Sequence, residues 1–119
     1  MTYTGWELDE TDRAHLLGVF EPAYPDVLAH HVTLRMGKHA LPTETEGVVI
    51  GIADDRCGVQ TLVISIGGTS RRPDGYQYHI TWSIDRSLGR KPFDSKDVIE
   101  SGFRPVQPYL IHLTPKVFL

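Results

Sequence analysis

At 119 residues, with 40% hydrophobic and 23% charged side chains, the chain has the size and balance of one globular domain covering 1–119, and not those of a disordered or collagen-like polymer. A formal net charge of −3 argues against the all-over basic surface that grips long duplex nucleic acid through its phosphates. No run approaches the ~20 apolar residues that cross a bilayer, the N-terminal residues lack the basic and apolar regions of a signal peptide, and Cys57 alone permits no internal disulfide; no membrane contact and a cytoplasmic location are expected.

Taken in chain order, Leu8 to Phe20 reads as an amphipathic helix with acidic residues in its first turn, stopped by Pro22 and Pro25. A turn at Pro25-Asp26 leads into a strand over Val27–Leu34. Gly47–Ala53 and Val59–Ile66 are β-branched runs separated by Asp54-Asp55-Arg56-Cys57-Gly58, which predicts a hairpin with Cys57 incidental in its turn. The glycines and the Pro73-Asp74-Gly75 turn make Gly67–Gly75 a loop. Tyr76–Ile84 follows as a strand, Ser95–Glu100 as a short helix capped by Asp94 or Ser95 and ended by Gly102, and Tyr109–Leu113 as a last strand. The order α-β-β-β-β-α-β predicts an α+β fold, a mainly antiparallel sheet with helices packed on one face.

Side chains two apart on a strand share a face, so His-x-Thr sets an imidazole and a hydroxyl about 7 Å apart along the chain. The imidazole exchanges protons near neutral pH, and the hydroxyl bonds a phosphoryl oxygen without carrying charge. Six His and ten Thr would yield roughly half of one such triplet by chance. Three occur, at His31, His79 and His112. The first two match in their apolar middle residues, Val32 and Ile80, and apolar followers, Leu34 and Trp82; the third runs from His112 through Thr114 into Pro115. Two such strands side by side would put His31 and His79 across a groove as general acid and base, with Thr33 and Thr81 toward the phosphate, and a bell-shaped pH profile follows. Arg35, Arg71 and Arg72 are candidate phosphate contacts, Lys38 belongs to the same local basic patch, and His112 with Thr114 is a possible addition. His15, His30 and His39 read as structural, His30 pointing away from His31.

His31-Val32-Thr33-Leu34 and Tyr78-His79-Ile80-Thr81-Trp82-Ser83 resemble the two signature motifs of the 2H phosphoesterases, a superfamily that includes 2′-5′ RNA ligase-like proteins, cyclic nucleotide phosphodiesterases and the phosphodiesterase domain of fungal and plant tRNA ligases. Phe20–Val27 is similar to the segment that precedes the first motif in small RNA-repair-associated members, and the likeness covers roughly residues 8 to 85. The resemblance implies a two-lobed sheet with both motifs facing a central groove. It also implies activity on 2′,3′-cyclic phosphates or 2′-5′ linkages of a nucleotide or RNA terminus, with no cofactor and no metal. His31 and His79 would then be the acid/base pair, and Thr33 and Thr81 the phosphate binders. The chain is shorter than typical larger members and its two motifs lie closer together. The rival reading is a catalytically silent module of the same fold that binds a nucleotide or RNA end. A zinc site from His31, His79 and His112 is disfavoured, because threonine is not a usual zinc ligand and no carboxylate or cysteine recurs at matching offsets.

Overall fold

Tyr3–Leu8 forms strand β1, and Asp9 then starts helix α1 (Glu10–Val19) by accepting the Asp12 amide on its carboxylate at 3.0 Å in the computed structural model, which describes residues 1–119. The helix therefore begins two residues later than the periodicity predicts, and Leu8 is a strand residue buried beside Trp6. The predicted strand over Val27–Leu34 is two: β2 (Asp26–Val27) and β3 (His31–Met36), divided at Ala29, whose φ is +50°. β4 (Glu46–Asp54) and β5 (Val59–Ser65) make the expected hairpin; Asp55 accepts the Cys57 and Val59 amides in its turn.

After the loop come β6 (His79–Ile84), two short 3-10 turns at Arg86–Leu88 and Pro92–Asp94, helix α2 (Ser95–Glu100) and β7 (Arg104–Phe118). Helix α2 has the predicted bounds, but Asp94 makes no cap bond to it. The Asp94 carboxylate instead accepts the Lys91 amide and lies 3.6 Å from Arg90. β7 is three times as long as the predicted last strand.

All seven strands join one antiparallel sheet in the order β2-β6-β5-β4-β7-β1-β3. The α+β class with a mainly antiparallel sheet is as predicted. The helices, however, do not share a face. Leu16 of α1 lies in the main core with Trp6, Val32, Leu62, Ile64, Ile80 and Trp82, whereas Ile99 of α2 packs on Ala53 and Val63. Leu62 and Val63 are consecutive strand residues and point to opposite sides, so β5 is covered on both faces and its run of buried residues has no polar alternation. No helix is long and apolar enough to cross a membrane.

Candidate active site

The meeting of the two His-x-Thr strands is set by a change of partner at Ala29. Val27 pairs with Ser83, and the amides of Leu28 and Ala29 donate to the carbonyls of Trp82 and Thr81. Past Ala29 the chain leaves β6 and joins β1: the Leu8 amide donates to the His30 carbonyl and His31 pairs with Glu7. Arg13 of α1 secures the corner, donating to the Ala29 carbonyl at 2.8 Å and the Leu28 carbonyl at 3.2 Å. β3 and β6 thus leave a common point side by side with no ladder between them.

Val32, Ile80 and Trp82 are fully buried in the main core, so His31 and Thr33 on β3, and His79 and Thr81 on β6, take the other face. All four are half-buried. Burial pushes the His31 ring down to about 4, and charge on His30 and on His79 pushes the same way. Burial also lowers His79 to about 4; Arg72 and Lys96 add to this, while a bond to the Gln77 carbonyl and the charge of Asp74 oppose it. The His79 Nδ1 lies 2.9 Å from that carbonyl, an acceptor only, so Nδ1 carries the hydrogen and Nε2 keeps its lone pair.

Several expected site residues have other work. Thr81 Oγ1 lies 2.9 Å from Ser95 Oγ and 3.2 Å from the Pro92 carbonyl; its single hydrogen is held within the protein, and Thr81 is not the free phosphate donor the spacing predicts. Thr33 makes no such bond. Arg35 is exposed near Tyr78. Arg72 pairs with both oxygens of Asp74, at 3.1 and 2.7 Å, yet its charge still reaches His79. Arg71 turns away, donating to the Gly75 carbonyl and lying 3.7 Å from Glu100 on α2.

His112 stands 3.0 Å from Asp12 of α1, which raises its pKa, and it does not join His31 and His79; Thr114 is an exposed residue paired with Glu7. The three-histidine zinc set is therefore not assembled. His30 does not point away from His31 as alternation predicts: their Nδ1 atoms are 3.3 Å apart, because His30 follows the left-handed Ala29 and is not yet in the strand.

Three neighbours of His79 are invisible to its motif. Lys96, on the first turn of α2, lies 4.8 Å over the Tyr76 ring within reach of His79. Ser95 is fully buried against Thr81. Gln77, on the same face as His79, has a buried Oε1 with no partner. Two clefts of about 420 and 580 Å³ lie elsewhere, around Asp54, Arg90 and Asp97 and around Arg56, Gln60 and Arg104, and neither contains an imidazole. No family model, curated protein or solved structure matches the chain.

Low folded-state values have a consequence for stability. In the unfolded chain both rings titrate near 6.5, so between that pH and about 4 the unfolded chain binds more protons than the native one. The contribution is complete above about 6.5 and declines as pH falls toward 4. His112, raised by Asp12, acts in the opposite sense, contributing below about 6.5 and losing it as pH rises through its folded value. The urea midpoint is expected to drop from pH 7 to pH 5, and to drop less in a His31→Gln/His79→Gln double variant; an equal drop in both would show that these rings are not the cause.

Proposed function

We propose that this chain is a phosphodiesterase of the 2H type, acting on a 2′,3′-cyclic phosphate or 2′-5′ linkage at the end of a nucleotide or RNA. The observation that carries the reading is the seam between β3 and β6, where His31 and His79 share the non-core face within each other's electrostatic reach and Arg72 and Lys96 stand beside His79. A phosphate entering there would offset the two cations, which lets His79 take a proton on Nε2 that the free protein does not hold at neutral pH.

For ring opening, His31 accepts a hydrogen from water as the water oxygen bonds phosphorus. The ester bond to one ribose oxygen breaks, and that oxygen takes the Nε2 hydrogen of His79. Thr33 and the cationic side chains bear the charge that builds on the phosphoryl oxygens. No step requires a metal. A single exposed cysteine, Cys57, suits a reducing compartment such as the cytoplasm.

Incubation with 2′,3′-cyclic nucleotides and cyclic-phosphate-ended RNA in EDTA is expected to give a monoester. Because both free rings titrate near 4, the singly protonated pair becomes scarcer above that pH, and kcat/KM is expected to fall about tenfold per pH unit beyond roughly pH 5 while kcat holds to higher pH. Profiles of the two constants that coincide would contradict the recruited proton.

One observation favours a second reading, a binding module without turnover: both imidazoles are held neutral near pH 7. Tight binding of a cyclic nucleotide with no product at any pH from 4 to 8 would select it.

A further inference from the structure

The partner change at Ala29 places two histidines and a carboxylate in one line. His30 Nδ1 lies 3.3 Å from His31 Nδ1, and His30 Nε2 lies 3.4 Å from Glu7 Oε2. Phe118 holds both rings, edge-on to His30 at 5.9 Å and tilted against His31 at 5.2 Å, and Tyr3, stacked on Phe118 at 4.7 Å, lies against the same His31 ring at 4.9 Å. The row runs from the half-buried His31 outward to an exposed His30 and a partly exposed Glu7.

Hydrogen bookkeeping fixes the direction of this row. The Glu7 carboxylate, an ion-pair contact 3.4 Å from His30 Nε2, favours the His30 hydrogen on that nitrogen and so a lone pair on His30 Nδ1. Two facing Nδ1 atoms then share one hydrogen, which must come from His31. His31 is thereby held with Nδ1 protonated and Nε2 bare, the form a general base needs.

We propose that Glu7 and His30 are positioning residues forming a proton relay to His31, which makes His31 the base of the pair and His79 the acid. When His31 Nε2 takes a proton, the Nδ1 hydrogen crosses to His30 Nδ1. His30 becomes the cation, facing Glu7 near the solvent, and His31 returns to neutral. The reverse transfer returns the hydrogen to His31 Nδ1, and release of the Nε2 proton to solvent restores the starting row. The catalytic half of this proposal rests on the phosphodiesterase reading; the row of contacts does not.

The relay also accounts for how a ring lowered to about 4 can act as a base: the charge leaves the half-buried position. Besides Glu7, the groups facing the two rings are Lys116, 3.1 Å from the same Glu7 oxygen, Tyr3 on β1 and His79 on β6. Lys116 competes for Glu7, and Lys116→Met is expected to strengthen its hold on His30.

Nitrogen-15 NMR of the full chain at pH 7, with turnover of a 2′,3′-cyclic nucleotide measured in parallel, tests both halves. His31 is expected as the Nδ1–H tautomer, changing to a mixture in His30→Ala and partly in Glu7→Gln. In both variants kcat is expected to fall on the order of tenfold to a hundredfold, less than for loss of the base itself, with KM little changed. Lys116→Met, which leaves Glu7 to His30, should hold His31 more completely in the Nδ1–H form. A His31 tautomer that is Nε2–H in the unmutated chain, or that His30→Ala leaves unmoved, overturns the relay whatever the turnover. No turnover in the unmutated chain, with the tautomer change present, supports the row of contacts and overturns the phosphodiesterase reading instead.

Discussion

His31→Ala and His79→Ala are each expected to reduce turnover of a 2′,3′-cyclic nucleotide by about 10²- to 10⁴-fold, the usual worth of a general acid or base, without unfolding the protein. Neither ring belongs to the main core; that core is built from their neighbours Val32, Ile80 and Trp82. His79 gives up one bond to a backbone carbonyl, and His31 gives up its bond to His30 and its contacts with Tyr3 and Phe118. Each loss is modest beside a core truncation. His112→Ala is the matched control, since that imidazole is exposed and tied to Asp12. Equal turnover in all three variants, measured beside their circular dichroism, would end the two-imidazole mechanism.

The second large effect concerns Gly5. A Cβ at this position would run into the Val32 carbonyl oxygen and lie 3.0 Å from the Thr33 Cα and 3.1 Å from the Leu34 amide nitrogen. All of these are backbone atoms that no side-chain rotation can clear. The pairing of β1 with β3 slips by one residue here, Thr4 opposing Arg35 and Gly5 opposing Thr33, and the close approach of the two backbones permits only glycine. Gly5→Ala is expected to cost about 3 kcal/mol, the upper part of the range for overpacking. It should also displace His31 and Thr33, so turnover falls even where the fold survives. An unchanged urea midpoint would show that β1 and β3 separate without penalty.

Much of the sheet is legible in local pattern. The β4-β5 hairpin and α2 follow from β-branched runs, an Asp-rich turn and a closing glycine. The segment Tyr3–Leu8 is harder to read, because Leu8 also continues the apolar series of α1 and only the Asp9 cap separates them. The break at Ala29 has no local signal. It is imposed from a distance by Arg13 and by the exchange of β6 for β1.

In β7, three prolines argue against a long strand. The strand absorbs Pro108 where Val49 opposes Tyr109 and Gly51 opposes Pro105, so that residues 106 to 108 bulge out of register. The histidines and Thr33 were visible as a spacing. Lys96 and Ser95 reach the site only when α2 folds over β6, Glu7 only when β1 lies beside β3, and His30 only because the chain turns at Ala29.

β7 also determines how the molecule can yield. Its first part pairs with β4 and its last part with β1, so one continuous strand is the spine on which the two leaves of the sheet are bound. Beyond its short pairing with β2, the His79–Thr81 end of β6 faces β3 across a seam joined by the peptide around Ala29 and by the core beneath it. Prising that seam apart breaks no ladder bond between β3 and β6, yet Val32 on one and Ile80 and Trp82 on the other share a buried core, so the joint beneath His31 and His79 is unlaced in its backbone and locked in its side chains.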